Sequence, residues 1–124
     1  MENYTIYCTE EQTLKALKLG APITVTSNHS DVANKKYYEV YHYESKTTTA
    51  IIIPTAEQMC GWLEEREIFI HIDYDFSDNK KPYKCEMCLF NGMTNHKGWF
   101  VSRQKATLAA IDAALDYLKK KQNK

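Results

Sequence analysis

The chain has few residues that break regular structure: four glycines and three prolines in 124 residues. That scarcity excludes a collagen-like repeat, a Gly/Ser linker and a proline-rich low-complexity tract. It also lacks an excess of either charge, with 16 basic and 16 acidic side chains and a formal net charge of +0. A zero balance argues against a wholly basic nucleic-acid binder and against an acidic mimic of DNA. No apolar run approaches the roughly 20 residues a membrane helix needs. Met1-Glu2-Asn3-Tyr4 shows neither the basic nor the apolar region of a secretory signal, so the expectation is a cytoplasmic protein with no membrane partner. There is no glycine-rich phosphate loop and no Gly-x-Ser-x-Gly. The four histidines (His29, His42, His71, His96) are scattered, with no recognisable spacing to a nucleophile. The reading therefore assigns no catalytic residue and no cofactor, and leans away from an enzyme.

What is present is ordinary globular material. Hydrophobic residues make 44% and charged residues 26%, enough apolar surface for one folded domain over 1–124 and too much for disorder. The four cysteines are Cys8, Cys60, Cys85 and Cys88. A chain of this size does not need disulfide staples, so free thiols in a reducing compartment are expected. Cys85-Glu86-Met87-Cys88 is a C-x-x-C, but no second pair completes a zinc set. It falls within a strand pattern, where residues three apart face opposite sides and their sulfurs diverge. Redox C-x-x-C pairs sit instead at a helix N-terminus. No metal site is assigned there.

Start signals mark three helices. Thr9-Glu10-Glu11-Gln12 is a capping box, followed by Leu14, Leu17 and Leu19 and a stop at Gly20 with Pro22 beyond. Thr55-Ala56-Glu57-Gln58 repeats the device ahead of Met59, Trp62 and Leu63. Ser102 opens the longest helix, about 103–120, whose stripe is Leu108, Ile111, Leu115 and Leu118, flanked by alanines that permit close approach to a sheet. Strands are expected at 4–8, 23–26, 37–43, 47–53, 66–76, 83–90 and 99–101, with 28–36 as the most mobile loop and 91–98 as a second one. Within 66–76 the alternation is clean: Ile68, Ile70, Ile72, Tyr74 and Phe76 on one face, Phe69, His71, Asp73 and Asp75 on the other. The fold class is α+β: three helices packed on antiparallel β-sheet, the C-terminal part in α-β-β-β-α order. The three caps are nearly evenly spaced. A degenerate repeat of 9–54 and 55–101 and a coincidence of common capping boxes both accommodate this.

The charges are not spread evenly. Residues 64–78 hold six acids against Arg66, and residues 79–105 hold six bases (Lys80, Lys81, Lys84, Lys97, Arg103, Lys105) against Glu86. The basic stretch is interleaved with Tyr83, Phe90, Trp99 and Phe100, and bases beside aromatics can track phosphates and stack on nucleobases. Cross-strand ion pairing is the plainer use of such a pattern. From Thr55 onward, the element order and the segment Ser102-Arg103-Gln104-Lys105-Ala106, with Ala110, Ala114 and Leu115, resemble the double-stranded RNA-binding domain. In that family a Ser-Lys-Lys-x-Ala-Lys motif opens an alanine-rich helix and its lysines straddle phosphates. Gln104 and Thr107 stand at two of the lysine positions, so the resemblance implies the fold more than the phosphate clamp. Three stretches, TEEQTLKALKLGAPI, IPTAEQMCGWLEE and ATLAAIDAALDYLKK, look like small uncharacterised proteins of gut Bacteroidales genomes and their mobile elements. That resemblance implies no activity and carries over no site residue.

The sequence thus points to a small binding or accessory module, with weak nucleic-acid contact through the six bases as the leading expectation. The alternative is a protein–protein adaptor or homodimer built on the tyrosine-rich strand, where Tyr37, Tyr41 and Tyr43 share a face with Glu39. A metal-dependent hydrolase at Asp73 and Asp75, with His71, ranks third.

Overall fold

The computed structural model describes residues 5–75, 80–89, 92 and 94–122, with the side chains of residues 29 and 94–97 outside that description. The chain forms helix α1 (Glu10–Lys18), strand β1 (Val25–Thr26), a 3-10 turn (His29–Val32), β2 (Tyr37–His42) and β3 (Thr47–Ile52). It continues through helix α2 (Ala56–Glu65), β4 (Ile68–Tyr74), β5 (Tyr83–Leu89), β6 (Thr94–Phe100) and helix α3 (Arg103–Gln122). The α+β expectation holds, but the strands divide into two antiparallel three-stranded sheets, ordered β1-β3-β2 and β4-β5-β6. Both units place a helix before three strands, yet the two sheets are wired differently.

Both sequence-predicted capping boxes form. The Thr9 hydroxyl accepts from the Gln12 N–H at 3.0 Å and the Gln12 Oε1 accepts from the Thr9 N–H at 3.1 Å. Thr55 and Gln58 make the same reciprocal pair at 3.1 and 2.9 Å. Helix α1 ends in a Schellman pattern. The Ala21 N–H reaches back to the Ala16 carbonyl and the Gly20 N–H to the Leu17 carbonyl, with Gly20 at φ 97°. The Ser102 hydroxyl caps α3 by accepting from the Lys105 N–H at 3.1 Å.

The buried face of α1 is not the leucine face. Gln12, Thr13 and Ala16 are buried, while Leu14 is 40% exposed. The reason lies across the chain: the Gln12 Nε2 donates to the Leu108 carbonyl and to Asp112 Oδ1 of α3, both at 2.8 Å. Thr13 satisfies itself by donating to the Thr9 carbonyl at 2.8 Å. A polar side chain that meets all its partners can occupy a seam that a leucine would fill by size alone.

Helices α2 and α3 cover one face of the second sheet. Met59 and Leu63 of α2, Ile68 of β4, Met87 of β5 and Ile111, Leu115 and Leu118 of α3 share one core. Towards the other end of α3, Ala106 and Ala110 close on Cys85, all three fully buried. Small side chains let the helix backbone approach the sheet there, as the alanine-rich sequence suggests. The region 28–36 holds a short 3-10 turn, His29–Val32. Asn28 caps the 3-10 turn, the Thr26 hydroxyl donates to Asp31 Oδ2 at 2.8 Å, and Val32 is buried. The supposed loop 91–98 is also corrected: β6 already begins at Thr94 and pairs with β5 through a bulge between Lys84 and Glu86. Among the described residues the expected first strand at 4–8 reduces to one bridge, Tyr7 to Thr55; Tyr4, residues 76–79 and Phe90 lie outside the described residues.

Candidate functional surfaces

The open face of the second sheet carries the polar half of the β4 alternation. Phe69, His71 and Asp73 lie on it, opposite Cys88, Glu86 and Lys84 of β5. His71 Nε2 and Asp73 Oδ1 are 2.7 Å apart, and Lys84 Nζ is 2.9 Å from Glu86 Oε1. Trp99 of β6 lies opposite Lys84 and is 38% exposed, so it belongs to this face and not to the core. The hydrogen bond to Glu86, then its charge and those of Asp73 and Asp75, raise the Lys84 ammonium above the ordinary lysine range. Opposite charges across neighbouring strands are the ordinary furnishing of a wet sheet face. Among the described residues, no group of three His, Cys, Asp or Glu side chains converges as a metal set. Cys85 points into the core and Cys88 to the open face, so the C-x-x-C sulfurs do diverge.

The strand directions explain where the sequence-predicted bases go. Strand β5 runs antiparallel to both neighbours, with Tyr83 opposite Tyr74 and Phe100. The turn into β5, the end of β6 and the start of α3 therefore meet at one end of the sheet. Lys80 and Lys81 sit exposed in that turn, Lys84 follows on β5, and Arg103 and Lys105 are exposed in the first turn of α3. Five of the six bases come to one end of the molecule. Lys97 has its backbone in β6, and its side chain lies outside the described residues. The first turns of α1 and α2 carry acids (Glu10, Glu11 and Glu57), as the helix dipole favours, whereas α3 carries none and opens on two bases.

The tyrosine strand is also exposed, and β2 is an edge strand. Tyr37 is 39% and Tyr41 48% accessible, with Glu39 between them on the same side. Tyr43 lies just past the strand in the hairpin turn, its ring edge-to-face with Tyr41 at 4.8 Å between centroids. Tyr38 turns the other way and packs on the main core.

A third feature had no sequence signal. A cavity of about 500 Å³ opens between Tyr7 ahead of α1, the segment after α1, the segment before β2 and the run from the end of β3 into α2. Its members come from four separate stretches of chain, which no local pattern connects.

Comparison with protein-family models, with curated proteins and with solved structures gives no match. Among the described residues, no helix is long and apolar enough to cross a membrane.

Proposed function

We propose that this chain is a non-enzymatic binding module that contacts nucleic acid through the end of its second sheet. The observation that carries the reading is the convergence of Lys80, Lys81 and Lys84 with Arg103 and Lys105, brought about by antiparallel register and the position of the α3 N-terminus. A helix start that points N–H groups outward beside two bases favours a phosphate. Lys84 is paired with Glu86 and enters this set by exchanging that carboxylate for a phosphate. The α2-β4-β5-β6-α3 order makes double-stranded RNA the first ligand to test.

The test is fluorescence anisotropy with a labelled RNA duplex and the matching DNA duplex. Four phosphate contacts predict a loss of about 10²-fold in affinity between roughly 50 and 200 mM salt. Reversing two charges in Arg103→Glu plus Lys105→Glu should abolish most of the binding. No binding at low salt, or an undiminished double variant, overturns the reading. The second reading, self-association through the exposed Tyr41–Tyr43 pair on the β2 edge, rests on that ring contact. It takes over if the chain sediments as a dimer that Tyr41→Ala dissociates.

A further inference from the structure

The cavity above α2 has the makings of a small-molecule site. Its volume, about 500 Å³, falls within the roughly 300–1,000 Å³ of such sites. The floor is apolar: Ala21, Ile53, Met59 and Trp62 are buried and line it. The Trp62 indole is held in place by the Arg66 guanidinium, 4.3 Å from its ring centroid. The mouth is polar, and its charge has one sign. Lys35 and Lys36 stand exposed at the rim, and no Asp or Glu is among the lining residues, all of which are described. Lys36 Nζ lies 5.0 Å from the centroid of the Tyr7 ring, which also lines the cavity, so an ammonium and an aromatic face are presented together. Gln58 spends its Oε1 on the Thr55 N–H and has its Nε2 hydrogens to offer as donors.

An apolar, aromatic-lined floor under a rim of cations and amide donors selects its ligand by chemistry. The flat apolar body of the ligand is buried against Met59 and Trp62. Its charged end must be anionic, because a cation would meet two ammonium groups and no counter-charge. We propose that this cavity binds a small aromatic carboxylate, its ring in the apolar floor and its carboxylate at Lys35 and Lys36. The site shares no residue with the basic end of the second sheet, so it stands or falls separately from nucleic-acid binding.

The test is amide-resolved NMR of the full chain titrated with naphthoate, with the neutral naphthylmethanol and with the cationic naphthylmethylammonium. Naphthoate should shift the Trp62 indole N–H and the backbone amides of Lys35, Lys36 and Gln58 in a saturable way. The alcohol should bind about tenfold more weakly, the effect of one charge-assisted contact at a wet rim. The cation should bind more weakly still. In the Lys35→Gln plus Lys36→Gln variant, altered only at exposed positions, naphthoate should fall to the level of the alcohol. The proposal is overturned if millimolar naphthoate leaves these signals unmoved. It is equally overturned if acid and alcohol bind alike, if the double variant binds naphthoate as the parent does, or if the shifts cluster at the start of α3 instead.

Discussion

Gln12→Glu would test the joint between the first helix and the last with almost no change in shape. The parent side chain is 1% exposed, accepts from the Thr9 N–H and donates to the Leu108 carbonyl and to Asp112 Oδ1. Glutamate keeps the acceptor that completes the capping box. It replaces the amide donor with a carboxylate oxygen that faces a carbonyl and a second carboxylate. Both hydrogen bonds from the Nε2 are lost, the one to the charged Asp112 alone worth about 1.5–3 kcal/mol, and buried acceptors are left unpaired at a cost of about 1–3 kcal/mol. A net loss of about 3 kcal/mol at neutral pH is expected, a large part of a domain's roughly 5–15 kcal/mol. With a urea slope of about 1.5 kcal/mol/M, the midpoint should fall by about 2 M. Burial and the Asp112 charge would raise the introduced carboxyl's pKa in the folded state above its unfolded value of about 4.3. The sign follows: below the unfolded value the protonated acid can donate to one of the two acceptors, and much of the deficit is recovered. As pH rises towards the folded value the deficit grows, and above that value it is constant. Urea titrations followed by circular dichroism at about pH 4 and pH 7 measure this. A deficit under about 1 kcal/mol at pH 7, or an equal deficit at both pH values, would refute the assignment of Gln12 as the donor that joins α1 to α3.

Ala110→Leu should destabilise the protein by about 1–3 kcal/mol, because Ala110 is fully buried against Cys85 and the helix must lift to admit a larger side chain; calorimetry reads the drop in melting temperature. Burial, with Cys60 and Asp112 as smaller contributors, pushes the Cys8 thiol up to about 12, and burial pushes Cys60 to about 11, both above the ordinary thiol range. Because the folded state holds these protons more tightly than the unfolded chain, stability should be intact below about pH 9 and decline as pH rises towards 12. Cys8→Ala should flatten part of that alkaline decline, as followed by urea midpoints between about pH 8 and pH 11.

Local features were legible where the physics is local. Thr9 with Gln12, and Thr55 with Gln58, announce helix starts because a hydroxyl and an amide three residues apart close on the same backbone groups. The alternation from Ile68 to Tyr74 separates the two faces of β4, and the alanines of α3 foretell its close seat on the sheet. The rest depended on partners far along the chain. Leu14 is exposed despite its apolar side chain, because Gln12 and Thr13 occupy the seam with α3. The division into two sheets, the paired start of β6 and the exposure of Trp99 follow from strand partnering, which residue-by-residue preference does not encode. The grouping of the bases was readable as a charge imbalance, but their arrival at one end needed the register. The cavity was invisible because its walls come from four distant segments.

The Gln12 bridge also bears on how the protein is made. Its two partners lie 96 and 100 positions further along the chain. During synthesis the capping box of α1 can close early, yet the donor groups of Gln12 have nothing to grip until α3 has been translated. Helix α3 is thus the clasp on the polar side of α1, closing late on a helix whose flanks already meet the segment before α2.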